Sequence, residues 1–493
     1  MPLESGLRRS ALLLGIAGAI EFMLQMVMPV LLVRHLDPTT FGQYRLLWLL
    51  ANTATSIAPA FMPMALFYFL PRAASHERGA VIGNVLLYCV LAGAVSGLIA
   101  SGWNPWMQGA VRTLFAQTRA ISSCFLFLWI VASVTDVLPT ADGRARWQAH
   151  MVIAVALLRT VLLAAAALTA PDIAVLATVL AVVAGTKIVL LFHYLLRNDA
   201  LTRIRFGWPC MKRLLAYALP FAVGNTLFLM RSQGDQWIVI TMTTPALFAT
   251  FSIATVVQPV TTLLRQPVIN AMMPRLNAAH ARGDTGEIVG LIARCNGAAG
   301  MLLIPIVGGL AAVAPALVEV IYTSRYAAAA PVMQVYLIGM VMNVFAVGHV
   351  LSALGQGAFS VRSSLYCLVF SLALSLAGLH YFGLPGAALG SVVTLGVNEL
   401  WSLHHIAAGL RVPMRRLVSW RPLWSTLCGT SVAVAGTLLA GQRSTQQGWT
   451  LLLTESVLYA VLFLLFFLAS GGRRQCELVL GWRRSAEAAV APP

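Results

Sequence analysis

Pro38-Thr-Thr-Phe41-Gly-Gln-Tyr44 heads one apolar run of this chain, and Pro71-Arg72-Ala-Ala-Ser-His76-Glu-Arg78-Gly79 closes it. Both marks return in the second half. Pro245-Ala-Leu-Phe248-Ala-Thr-Phe251 repeats the first, and Pro274-Arg275-Leu-Asn-Ala-Ala-His280-Ala-Arg282-Gly283 repeats the second with one extra residue. Paired landmarks around equivalent runs mark an internal duplication. A period of about six spans is even, so the second copy enters a membrane in the same orientation as the first. This predicts two six-helix lobes related by a parallel pseudo-twofold axis along the membrane normal.

The composition demands a membrane. Of 493 residues, 59% are hydrophobic and 10% charged, with a mean hydropathy of +0.82. A soluble domain carries about 25% charge, so too little polar surface exists here to cover the apolar remainder. Soluble enzymes, disordered regulators and disulfide scaffolds are excluded. Runs of roughly 20 apolar residues recur about fourteen times between 11 and 470. The predicted fold class is an all-α polytopic membrane protein: an N-terminal lobe over 1–196, a basic linker over 197–214, a C-terminal lobe over 215–407, two extra helices over 408–470 and a tail over 471–493. Tight joints at 169–172 and 382–385 leave a twelve-span reading open.

The net charge of +17 comes from 33 Lys and Arg against 16 Asp and Glu. It is an orientation signal, not a nucleic-acid footprint. With the N-terminus in the cytoplasm, 23 basic residues fall in cytoplasmic segments, six outside, and four within spans. That bias favours fourteen spans with both termini cytoplasmic. Only two of the 33 are lysines. Arginine grips phosphate bidentately, although coding bias would give the same excess. The seven cysteines form no CxxC pair and read as small buried hydrophobes.

Charge within a span is costly and marks a functional candidate. Glu21 has Gln25 one turn later in span 1, and Arg231 has Asp235 one turn later in span 7. Arg159, Lys187, Arg265 and Glu399 are the other deep charges. Each has a plainer alternative. Arg231–Asp235 also fits an intrahelical pair; Lys187 also fits snorkelling to the cytoplasmic interface; Arg159 also fits pairing with an acid of a neighbouring helix. Glu21 reads as a hydrogen-bonding or a coupling carboxylate. Asp136 and Glu319, nearer span ends, read as interfacial. Gly93-x-x-x-Gly97 and Gly386-x-x-x-Gly390 read as helix-packing faces. No GxxxxGK[ST], HExxH or GxSxG occurs, so no cofactor, metal or catalytic site is expected.

Several stretches resemble the bacterial polysaccharide flippases of the multidrug/oligosaccharidyl-lipid/polysaccharide exporter superfamily. His35-Leu36-Asp37-Pro38-Thr-Thr-Phe41-Gly42-Gln43-Tyr44 is similar to that family's L-x-P-x-x-F-G-x-Y stretch. Tyr322-Thr-Ser-Arg-Tyr326-Ala-Ala-Ala-Ala330-Pro331 resembles its segment between spans 9 and 10, and Gly386-Ala-Ala-Leu-Gly390 its small-residue stretch in span 12. The region from Leu219-Pro220 to Asp235-Gln-Trp237 is similar to its span 7 entry. The resemblance implies a MATE-like fold in the bacterial inner membrane. It implies a flippase, not an enzyme, that moves an undecaprenyl-pyrophosphate-linked repeat unit between leaflets by alternating access around a cationic central cavity. Its implied partners are that glycan lipid, membrane lipids, a polysaccharide polymerase and other export-pathway proteins, with no nucleic acid. On that reading Arg231, Arg265, Arg159, Lys187, Gln25 and Asn225 bind substrate, and Glu21, Asp235 and Glu399 are coupling or structural carboxylates. The alternative is a drug or cation antiporter of the same superfamily.

Overall fold

A computed structural model describes residues 2–74, 76–101, 109–118, 120–198, 204–345, 347–444 and 446–471. The expected tail, beyond its first residue, lies outside the described residues, as do linker positions 199–203 and Arg119. All regular structure among the described residues is helical, as lipid requires of a chain that must satisfy its backbone internally.

The chain divides into two compact units. Unit 1 comprises residues 1–230 and 239–249, and unit 2 comprises 231–238 and 250–493. Unit 1 contains α1 (Pro2–His35), α2 (Pro38–Ile57), α3 (Met62–Phe69), α4 (Arg78–Ile99), α5 (Gly109–Thr118), α6 (Ala120–Ala132), α7 (Leu138–Ala141), α8 (Ala145–Thr169) and α9 (Ile173–Arg197). It also holds most of α10 (Trp208–Met242) and the start of α11 (Pro245–Ala254). Helix α1 lies along α8, and α6 packs on α4 and α9. A fully buried group that includes Met62, Leu66, Val85, Leu138, Leu191 and Leu214 gathers α3, α4, α7, α9 and α10.

Unit 2 continues through α12 (Gln258–Arg282), α13 (Thr285–Tyr322), α14 (Ala329–Met340), α15 (Val347–Ala353), α16 (Gly357–Gly409), α17 (Trp420–Arg443) and α18 (Trp449–Ala469). Helix α13 is its axis, in contact with α12, α14, α17 and α18. The Tyr459 hydroxyl of α18 donates to the Pro305 carbonyl of α13 at 2.6 Å. The Ser419 hydroxyl, just before α17, donates to the Ala293 carbonyl at 2.7 Å. The two C-terminal helices are thus bolted to α13.

Eleven helices among the described residues are long and apolar enough to cross a membrane, or twelve if α2 and α3, bent by 44°, form one span. Length and hydropathy alone therefore return fewer than the expected fourteen. Two places account for the difference. Helix α16 counts once but breaks at Gly383, whose φ of 65° only glycine adopts readily. After the break the backbones close to van der Waals limits: a Cβ on Gly378 would lie 2.1 Å from the Gly386 carbonyl oxygen. The Gly386-x-x-x-Gly390 face is therefore a packing face. The other place is the α11–α12 pair, where the apolar stretch Pro245–Val257 is short and α12 carries Arg265, Gln266, Asn270 and Arg275.

Asp37 starts α2, its carboxylate accepting from the amides of Thr39 and Thr40 at 2.9 and 3.1 Å. Burial alone would raise this carboxyl, but the bonds from Thr40 and Thr39 outweigh it and hold the group below its ordinary value. Phe41 and Phe248, the matched aromatics of the duplication, are both fully buried. Gly42 lets the two copies touch, because a Cβ there would sit 1.9 Å from the Pro245 carbonyl oxygen. Gly42→Ala forces backbone apart and is expected to destabilise by about 1–3 kcal/mol, read as a lowered melting temperature in detergent. Gly18→Ala, where nothing lies within 4 Å, serves as the silent control.

Candidate functional site

Unit 1 contains an open cavity of about 520 Å³. Helical periodicity builds its walls. Tyr44, Trp48 and Asn52 recur every fourth residue along one face of α2, with Arg45 beside them, and α8 contributes Gln148, Val152, Val155 and Arg159 at similar spacing. Helix α1 adds Glu21 and Gln25, α6 adds Trp129, and α9 adds Lys187.

The sixth element of the wall is a break in a helix. Beyond α6 the chain tightens into a 3₁₀ turn, Ser133–Asp136, ahead of Pro139. The turn directs the Asp136 carboxylate to Lys187, whose Nζ donates at 2.8 Å. It also frees the Asp136 carbonyl, which accepts from Gln148 Nε2 at 3.2 Å. Lys187 is 6% exposed and Asp136 about half exposed. The lysine does not snorkel as the sequence allowed. A carboxylate 51 residues away in sequence holds it inside, and this overrides the pull of the nearer interface.

Two tryptophans join the cations. Trp48 and Trp129 meet edge to face at 5.4 Å. The Arg159 guanidinium stands 5.6 Å from the Trp48 ring centre and the Lys187 ammonium 4.8 Å from that of Trp129, both within cation–π range. Arg159 is 7% exposed and rests on an aromatic face. On α1, Gln25 Nε2 donates to Glu21 Oε1 at 3.1 Å. Gln148 keeps a buried acceptor, Oε1, without a hydrogen-bond partner among the described residues. The wall thus combines three cations, two carboxylates, three amides and two tryptophan rings set nearly at right angles.

The other predicted residues lie elsewhere. Asn225 is exposed and donates to the Ser56 carbonyl at 3.4 Å, and it is not part of the cavity wall. In unit 2, Asp235 is buried and its Oδ2 accepts from the hydroxyls of Tyr336 and Ser391 at 2.5 and 2.6 Å. That carboxylate pins α10 to α14 and α16. Arg265 Nη1 donates to the backbone and side-chain oxygens of Asn343 at 3.0 and 3.3 Å. Glu399 is 7% exposed and feels the charges of both Arg265 and Arg231. Glu399 thus meets Arg231 and Arg265, Asp235 is held separately by the two hydroxyls, and none of the four is among the residues that line the unit 1 cavity.

Sequence reading missed Arg45, Gln148 and the tryptophan pair, and it read Asp136 as interfacial without its link to Lys187. Arg45 is one of the six basic residues that the orientation count puts outside, but Pro38 and the Asp37 cap start α2 ahead of it, so Arg45 falls within the helix and lines the cavity. The Tyr44-Trp48-Asn52 stripe was the signal available for the aromatic wall. For Asp136, no local pattern shows which cation it meets.

Removing one partner of the Lys187–Asp136 pair leaves charge uncompensated. Asp136→Asn is expected to destabilise by about 1–3 kcal/mol, less than a fully buried pair because Asp136 is half exposed. Adding Lys187→Met should restore part of the loss. Thermal unfolding followed by tryptophan emission checks this, and a double variant that melts below both single variants would count against the pairing.

A profile of the polysaccharide biosynthesis protein family matches residues 31–331. A probable low-salt glycan biosynthesis flippase, Agl15 of Haloferax volcanii, is 22% identical over 214 residues, covering 43% of this chain and 45% of that protein. The chain therefore matches about half the length of this curated relative. Among solved structures, the lipid II flippase MurJ in an inward closed conformation superposes with a TM-score of 0.72 at 10% identity, over 92% of this chain and 98% of that one. An inward-facing multidrug resistance MATE family transporter of the MOP superfamily gives 0.65 at 15% identity, over 79% and 95%. At these identities the likeness is one of fold.

Proposed function

The chain belongs to the polysaccharide biosynthesis protein family, and from that membership we propose that it flips a lipid-linked oligosaccharide across its membrane. The specific reading is an undecaprenyl-pyrophosphate-linked repeat unit, carried from the cytoplasmic to the periplasmic leaflet of a bacterial inner membrane by alternating access, with both chain termini cytoplasmic. A polysaccharide polymerase on the far side would consume the product.

The observation that carries this reading is the tryptophan pair flanked by two buried cations in unit 1. Arg159 and Lys187 supply positive charge for pyrophosphate oxygens, and charge-assisted bonds of this kind are the strong ones. The ring faces of Trp48 and Trp129 suit the C–H face of a sugar, while Gln25, Asn52 and Gln148 offer donors and acceptors to its hydroxyls. Glu21 remains the coupling candidate at this wall, next to Gln25. A cation or drug antiporter of the same superfamily fits this cavity less well, because buried cations repel a cationic substrate. Transport needs no bond to be made or broken, and the wall supplies binding groups.

The test is flipping in proteoliposomes. Wild-type protein should move a fluorescent undecaprenyl-pyrophosphate glycan between leaflets faster than protein-free vesicles. Replacing Arg159 and Lys187 together by Gln should slow it at least about tenfold, as expected where two charge-assisted contacts of roughly 1.5–3 kcal/mol each are lost. Folded wild-type protein no faster than empty vesicles would refute the proposal.

A further inference from the structure

A second hollow, of about 500 Å³, lies in unit 1 where α3 ends and α4 and α10 begin. None of its lining residues belongs to the cavity described above. Arg72, Arg205 and Arg213 line it together with His76, and Glu77 is its one carboxylate. Among the described residues none of the three arginines forms an ion pair. Arg78 and Arg144 nearby are differently disposed: both are directed to Asp142, at 2.6 and 3.5 Å. Arg72 is oriented by its own helix, its Nη1 donating to the Tyr68 carbonyl at 2.8 Å and its guanidinium 4.2 Å from the Tyr68 ring centre.

The segment before α10 is held in place by backbone contact. The Arg205 amide donates to the Gly79 carbonyl at 3.4 Å, and Gly83 has no Cβ because one would lie 2.7 Å from the Arg205 carbonyl oxygen. Arg205 is thereby fixed over the start of α4. Around it, Phe206 and Trp208 are more than half exposed, and Lys212 Nζ stands 5.7 Å from the Trp208 ring centre. Exposed aromatics beside cations at the ends of spanning helices are the composition of a membrane interface, where basic pockets take lipid head groups.

We propose that this pocket binds the phosphoryl head group of a membrane lipid, with Arg72, Arg205 and Arg213 around the phosphate and Phe206 beside the glycerol or prenyl portion. The lipid is either an anionic phospholipid of the bulk membrane or a polyprenyl pyrophosphate. The inference goes beyond the transport reading, since it needs only that a lipid phosphate be held at this end of unit 1.

The full chain in phosphatidylcholine nanodiscs tests it with three separate probes: phosphatidylglycerol, sugar-free undecaprenyl pyrophosphate and inorganic pyrophosphate. Native mass spectrometry counts the molecules retained, and the melting temperature reports stabilisation. At least one of the two lipids should be retained and raise the melting temperature, and which one identifies the source. Arg72→Gln, Arg205→Gln and Arg213→Gln combined should reduce that retention at least about tenfold. Glu77→Gln removes the opposing charge and should increase it. Equal retention in wild type and the triple variant would overturn the proposal, as would inorganic pyrophosphate binding while neither lipid does. If the triple variant does not fold, unchanged retention in Glu77→Gln overturns it and increased retention upholds it. Flipping is not measured in any arm, so the outcome is independent of the transport experiment.

Discussion

Lys187 places an ammonium group in the middle of a mostly apolar helix, and the Asp136 carboxylate makes that position tolerable. Much of the unit 1 cavity depends on this contact. To place Asp136, α6 must end early and tighten into the Ser133–Asp136 turn. The tightened turn frees a carbonyl, and Gln148 of α8 takes it. The lysine held inside then lies over Trp129, which meets Trp48, on whose face Arg159 rests. Four helices are thus coordinated by the need to compensate one charge in a medium that penalises it.

What was legible in the sequence follows from periodicity and composition. Membrane residence, the all-helical class and the duplication were readable because each is a property of order along the chain. Glu21 with Gln25 was readable for the same reason, being one helical turn apart. The partners of Lys187 and Asp235 were not. Four-residue spacing suggested that Asp235 would answer Arg231, whereas its carboxylate is taken by Tyr336 and Ser391 from two other helices. Lys187 is near Arg197 in sequence and near Asp136 in space. In a bundle where most surfaces are apolar, many helix rotations bury similar area, so the pattern does not say which polar side chains meet.

The two units handle buried charge differently. Unit 1 leaves its cations at the wall of a hollow, on aromatic faces that a ligand can share. In unit 2 Asp235 is tied by hydroxyls, Arg265 by Asn343, and Glu399 lies within the field of two arginines. Buried charge in unit 1 thus borders open space, whereas in unit 2 it serves as internal fastening. The α17–α18 pair, anchored to α13 through Pro305 and Ala293, adds to unit 2 alone.

The contact at Gly42 has a consequence for how the protein is made. Pro245, the residue it touches, comes some two hundred positions later, and residues 239–249 complete unit 1. The first nine helices can leave the ribosome and enter the bilayer without their closing piece. Such a long-range contact forms late, because its loop must close before it contributes. During synthesis the early helices therefore wait in the membrane as an open assembly, within reach of insertion chaperones and proteases, until the eleventh helix arrives.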